Sequence, residues 1–192
     1  ADGAGLGGRT PPSETSATGE QAWPGFEDAA VPPDRLGAYL RDFTALMDEY
    51  DIDGLLYGHF GDGCVHVRLN MPLETGAGVA HSKRFLEEAA QVCARHGGSV
   101  SGEHGDGRAR TELLRFMYSP ELIDLFNNVK ALFDPDDLLN PGVLASPTNQ
   151  IDKLDDFLRR PRARSLPAAG GFAFGEDHGD FTQAVHRCTG VG

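Results

Sequence analysis

The chain has 192 residues, with 29 acids against 17 bases and a formal net charge of -12 at pH 7. Hydrophobic residues make up 40% of it, enough for a core, so wholesale disorder is excluded. An acidic surface repels phosphate backbones, which argues against nucleic-acid binding, and no apolar run approaches the roughly 18 residues of a membrane helix.

Residues 1–33 read as loop, with glycines at 3, 5, 7 and 8 and prolines at 11, 12, 24, 32 and 33. Gly3, Gly5 and Gly8 spell GxGxxG, but no strand precedes them and no apolar helix follows, so a dinucleotide loop is not supported. From Asp34, a predicted N-cap, the spacing of Leu36, Leu40, Phe43, Met47 and Tyr50 predicts a helix. Two short apolar runs, Gly54 to Phe60 and Cys64 to Met71, are joined by Gly61-Asp62-Gly63 and read as a hairpin. A second helix is predicted over Ala80 to His96, burying Phe85, Leu86, Ala89, Val92 and Cys93, with Gly97-Gly98 as its stop.

Ser99 to Ser101 reads as a short strand running into a glycine-rich loop, Gly102 to Gly107. Ser119-Pro120 then opens a third helix with Leu122, Phe126, Val129 and Phe133 on one face, stopped at Asp134-Pro135. This order predicts an α+β fold, an antiparallel sheet flanked by helices, incomplete at both ends. The predicted domain runs from 34 to 158. The basic, proline-containing stretch 159–171 reads as a linker, and 172–192 as the start of another unit. Residues 151–192 carry six bases and six acids, so the whole acidic excess lies in 1–150. The N-terminus has no basic and apolar leader pattern. Cys64, Cys93 and Cys188 are too widely and unevenly spaced for a disulfide framework, which fits a reducing compartment. The expected location is therefore cytoplasmic, or peripheral at a membrane through an electron-transfer partner.

The hairpin carries a chemical expectation. With Gly61 to Cys64 as the loop, Phe60 pairs with Val65, His59 with His66 and Tyr57 with Arg68. Directly opposed residues share a face, with Cβ atoms about 4.5–5.5 Å apart. Two imidazoles so placed suit one divalent cation; the plain alternative is two surface histidines. Glu103 would add an anionic third ligand, and His104 beside it would remain as a base; the alternative is an ordinary glycine turn. His81, His96, Arg108, Arg110, Asp62 and Asp106 read as capping, solvent or turn residues, and Cys64 and Cys93 as small buried residues.

Three segments also resemble a known family. Gly58-His59-Phe60-Gly61-Asp62-Gly63-Cys64-Val65-His66 resembles the GHxGDGxxH motif of the FAD-linked oxidases related to vanillyl-alcohol oxidase. Ser101 to Gly107 resembles their second motif, and Phe133-Asp134-Pro135 with Leu139-Asn140-Pro141-Gly142 their closing signature. That family includes glycolate oxidase subunits, D-lactate dehydrogenases and D-2-hydroxyglutarate dehydrogenases. The resemblance implies the C-terminal, substrate-capping part of an FAD-dependent D-2-hydroxy-acid dehydrogenase. It implies a divalent ion, commonly zinc, on His59, His66 and Glu103, His104 acting on the substrate hydroxyl, and Asn140 on the flavin side.

Two positions depart from the D-2-hydroxyglutarate enzymes: Arg68 stands where they carry asparagine, and Phe26 where they carry a substrate-binding lysine. Arg68 is the candidate for a substrate carboxylate. Residues 172–192 resemble the start of the iron–sulfur domain of large fused members, with Cys188 as a 4Fe-4S ligand, which implies electron transfer to an acceptor the sequence does not name. Two readings from other classes are a metal-dependent hydrolase using the same His, His, Glu set and a non-catalytic metal-binding module.

Overall fold

The computed structural model describes residues 22–24, 26–73 and 75–158, together with positions 175, 179 and 181. The expectations for Gly3, Gly5 and Gly8, for the linker 159–171 and for Cys188 lie outside the described residues.

The sheet is organised around one strand. Strand β4 (Cys64–Leu69) pairs antiparallel with β3 (Gly54–Tyr57) on one edge and with β1 (Trp23–Pro24) and β2 (Ala29–Ala30) on the other. Residues 22–33 are therefore not simply loop. Phe26, Ala29 and Val31 are buried in the core, because β4 has a second edge to satisfy and two-residue strands are enough to do it. Phe26 stacks on Phe43 at 5.7 Å between ring centroids, so it faces the core.

Alternation along β4 decides its two faces. Val65, Val67 and Leu69 join the core, which leaves Cys64, His66 and Arg68 on the opposite face. Helix α1 (Leu36–Glu49) supplies Tyr39, Phe43, Leu46 and Met47 to that core. Helix α2 (Gly76–Arg95) supplies Phe85, Leu86, Ala89, Val92 and Cys93. Asp34 does not cap α1; it sits inside a short 3-10 turn, Pro33–Arg35, that leads into it. Helix α2 begins four residues before the predicted start, because Thr75 accepts a bond from Gly78 N at 3.0 Å and caps it there.

Ser99 makes a single bridge to Ala30 where a strand was expected. Short helices α3 (Gly107–Arg110) and α4 (Leu114–Met117) lead to α5 (Pro120–Phe133), capped by Ser119 as predicted. Its predicted apolar face is packed only in its first half: Val129 and Phe133 are exposed, and Asn127 is the residue it buries. Asn127 accepts from Ser146 N at 3.0 Å and donates to Asn149, while Leu122 and Phe126 are half-buried and Phe126 packs edge to face on Tyr118. Last, α6 (Leu154–Leu158) docks by Leu154, whose N–H donates at 2.8 Å to the buried Glu112. None of the helices formed by the described residues is long and apolar enough to cross a membrane.

The turn after α5 has a pH-sensitive anchor. Asp134 accepts from Leu138 N at 3.0 Å and Leu139 N at 2.8 Å and pairs with Lys130. Lys130 and then the two backbone donors hold its carboxyl down at about 2, against an ordinary value of 3.8. A depressed carboxylate contributes its full stabilisation above the unfolded value and loses it as pH falls through the folded one. We expect the amide resonances of Leu138 and Leu139 to stay fixed down to pH 3.8 and to shift cooperatively as pH approaches 2; no movement in that window would remove Asp134 as the anchor.

Candidate functional site

The site sits on the face of β4 turned away from the core. The register differs from the expected one by two residues: Tyr57 opposes His66 and Leu55 opposes Arg68. His59 and Phe60 are not in the ladder at all. The connection is a six-residue turn, 58–63, with a 3-10 segment at Phe60–Asp62 that spends residues the hairpin reading had placed in strands. A slip of two keeps every side chain on its face, so His59 still returns over His66. Gly58 makes this return feasible: its φ is 141°, and a Cβ there would lie 2.6 Å from the Cys64 carbonyl oxygen.

Four candidate side chains converge. The rings of His59 and His66 lie 5.5 Å apart, edge to face, and those of His66 and His104 lie 5.2 Å apart and parallel within 4°. Glu103 Oε1 is 3.5 Å from His59 Nε2, 3.3 Å from His66 Nε2 and 3.4 Å from His104 Nε2. Three imidazole nitrogens thus surround one carboxylate oxygen at a spacing too long for strong hydrogen bonds. Ligand atoms on a tetrahedral ion with bonds of about 2.0–2.1 Å sit about 3.3–3.4 Å from one another. Each of these three N–O separations is that of a pair of ligands on one ion.

The tautomer of His66 points the same way. Its Nδ1 donates to the Glu27 carbonyl, which leaves Nε2 with a lone pair facing Glu103 Oε1. Two acceptors in that position need a cation or a proton between them. The donor set therefore fits a divalent metal.

The loop bearing Glu103 and His104 is tied down by a residue that sequence reading missed. Asp28 has no exposed surface, and its carboxylate accepts from the main chain of both Glu103 and His104. Its only sequence signal is an acid set between the buried apolar residues Phe26 and Ala29. Gly102 is small for packing, since a Cβ there would meet Ala30 Cβ at 2.8 Å.

Asp28, Cys64, His66 and Glu103 also form a group of close ligand atoms. Asp28 is committed to backbone donors, however, and burial, followed by the Asp28 charge, pushes the Cys64 thiol up and keeps it protonated. Cys93 is raised to about 12 by burial, and both cysteines are buried, as expected. His81 and His96 are likewise structural, bonded to the Tyr50 carbonyl and to Asp42.

Arg68 shares the site face with His66, opposite Leu55, and its Nη1 is buried with no partner among the described residues. Leu55, Tyr57 and Phe60 are exposed, and the Tyr57 ring lies 5.3 Å from that of His66. Asn140 lies on an exposed turn at φ 49°, and its side chain makes no hydrogen bond among the described residues.

Residues 8–144 match the family described as FAD linked oxidases, C-terminal domain. The chain belongs to this family. Similar curated proteins include a D-2-hydroxyglutarate dehydrogenase of Haemophilus influenzae, 35% identical over 147 residues, which cover 75% of this chain and 14% of that protein. A D-lactate dehydrogenase of Archaeoglobus fulgidus is 37% identical over 115 residues, covering 60% of this chain and 25% of that one. The glycolate oxidase subunit GlcD of Escherichia coli is 33% identical over 115 residues, covering 60% and 23%. The chain thus spans a quarter or less of these relatives. The FAD-linked oxidase fold agrees with the α+β architecture expected from the sequence, and the hydrolytic alternative finds no support among these relatives.

Proposed function

We propose that the protein to which this domain belongs oxidises a small D-2-hydroxy acid, of the D-lactate or D-2-hydroxyglutarate type, to the 2-oxo acid. The observation that carries this reading is the convergence of three histidine nitrogens on Glu103 in a domain of the FAD-linked oxidases. FAD bound by the whole protein supplies the acceptor for the hydride that leaves C2. A divalent ion, zinc as the first choice, on His59, His66 and Glu103 supplies a Lewis acid that lowers the pKa of the substrate hydroxyl.

The remaining work falls to side chains. His104 takes the hydroxyl proton at Nε2; its Nδ1 lies 3.9 Å from Asp28 Oδ1, on the anchored side of the ring. Leu55, Tyr57 and Phe60 exclude water from the reacting carbon. Asn140 is assigned to the flavin side on its motif alone. Cys188 is assigned to a 4Fe-4S cluster on resemblance alone; three cysteines in the chain do not make the four-thiolate set such a cluster needs, and no step is drawn through it.

Arg68 is the candidate for the substrate carboxylate. A buried guanidinium nitrogen without a partner is costly to keep, and a bidentate carboxylate would satisfy it. We expect Arg68→Met in the whole protein to lower kcat/KM by roughly ten- to a hundredfold, the worth of a hydrogen bond to a charged group, with no loss of melting temperature. Unchanged kinetics with a lower melting temperature would assign Arg68 to structure.

The reading as a whole is tested by purifying the full-length protein, recording its flavin absorbance and metal content, and screening D-2-hydroxy acids with a dye acceptor. Metal without flavin, or flavin that no hydroxy acid reduces, would overturn it.

A further inference from the structure

A glycine-flanked loop has no intrinsic reason to present two adjacent side chains to one point, yet Glu103 and His104 both meet His66. What fixes them is a set of bonds from consecutive residues to Asp28. Ser101 Oγ donates to its Oδ2 at 3.1 Å, and Gly102 N to its main-chain carbonyl at 2.7 Å. Glu103 N is shared between Oδ1 at 3.1 Å and Oδ2 at 3.2 Å, and His104 N reaches Oδ2 at 2.8 Å. All four residues of the loop segment 101–104 therefore end on one aspartate.

Bonds from backbone N–H groups to a carboxylate are charge-assisted and roughly twice as strong as neutral ones. The carboxylate has no exposed surface, and no lysine or arginine among the described residues pairs with it. Its charge is met by the N–H dipoles of the loop, and His104 Nδ1 lies 3.9 Å from Oδ1.

We propose that Asp28 is the positioning residue of the site: by holding the Glu103–His104 peptide it fixes both side chains against His59 and His66 and so sets the affinity for a divalent cation. This inference rests on the metal-site reading above. Asp28 touches neither cation nor substrate in it. Asparagine at this position removes the charge and sets an NH2 group against an N–H donor, which lets the peptide swing and spreads the ligands.

The test uses the full-length protein, stripped of metal with a chelator and titrated with zinc against a chromophoric competitor. Metal-free melting curves are recorded alongside. Asp28→Asn should weaken zinc binding by about 10- to 100-fold, the usual cost of losing a group that orients a metal ligand. Ser101→Ala, which removes one bond to Oδ2, should weaken it by roughly two- to tenfold. A purely structural role would lower the metal-free melting temperature and leave the zinc affinity of the folded protein unchanged.

Zinc affinity within twofold of wild type in both variants overturns the proposal. If Asp28→Asn does not fold, Ser101→Ala decides by the same criterion. Glu103→Gln separates the two levels: if it too binds zinc normally, the metal-site reading has failed. If it loses zinc while Asp28→Asn and Ser101→Ala keep it, only the positioning role falls.

Discussion

Replacing His104 with alanine in the full-length protein should lower the rate of flavin reduction by the hydroxy acid by about 10²–10⁴-fold, the usual worth of a positioned general base. Metal content and the flavin spectrum should remain. His104 Nε2 stands as close to Glu103 Oε1, at 3.4 Å, as the two hairpin histidines do. Distance alone does not divide ligands from base. The motif resemblance makes the division: Nδ1 of His66 is bonded to a main-chain carbonyl and Nδ1 of His104 lies 3.9 Å from the buried Asp28 carboxylate, partners that either role accepts. A carboxylate there stabilises the imidazolium that forms when Nε2 takes a proton. Stopped-flow reduction and elemental analysis on the same sample check this. Metal lost together with turnover would make His104 a fourth ligand.

Glu103→Gln should have the largest effect on the metal. The substitution is nearly isosteric, so packing is little disturbed, and the bonds to Asp28 come from the main chain of Glu103. The loop therefore stays in place while the site loses its anionic ligand. Only the two histidine ligands remain, and we expect metal occupancy to fall below roughly a tenth of wild type after dialysis against a chelator, by the upper end of the loss seen when metal sites are perturbed. Activity should fall with it and return in part on adding excess zinc. Full occupancy in the purified variant would remove Glu103 from the ligand set.

Much of the scaffold was legible because it is periodic. The buried positions of α2 follow from 3.6-residue spacing, and the cap of α5 from Ser119-Pro120. The hairpin register was not, because a 3-10 turn consumes residues in a way that glycine spacing does not announce; the face assignment survived because the error was an even number. Asp28 was missed for a different reason. Its partners are 73 to 76 residues away, and no local pattern encodes such a contact. The strands at 23–24 and 29–30 were hidden by their shortness and by the prolines around them. On α5 the apolar pattern held only in its first half: Leu122 and Phe126 are half-buried, while Val129 is exposed and Phe133 is 86% exposed.

The central place of β4 bears on how the site comes apart. His66 is carried by a strand bonded along both edges and packed on the core, so its backbone opens only when the sheet does. His59 comes from a turn, and Glu103 and His104 from a loop whose only regular pairing is the bridge at Ser99. Asp28 holds the loop, so local fluctuations reach the turn of His59 at lower cost than either the strand or the loop. The site thus has two held walls and one hinged one. On the proposed metal reading, the opening of that turn would set the lifetime of a bound ion.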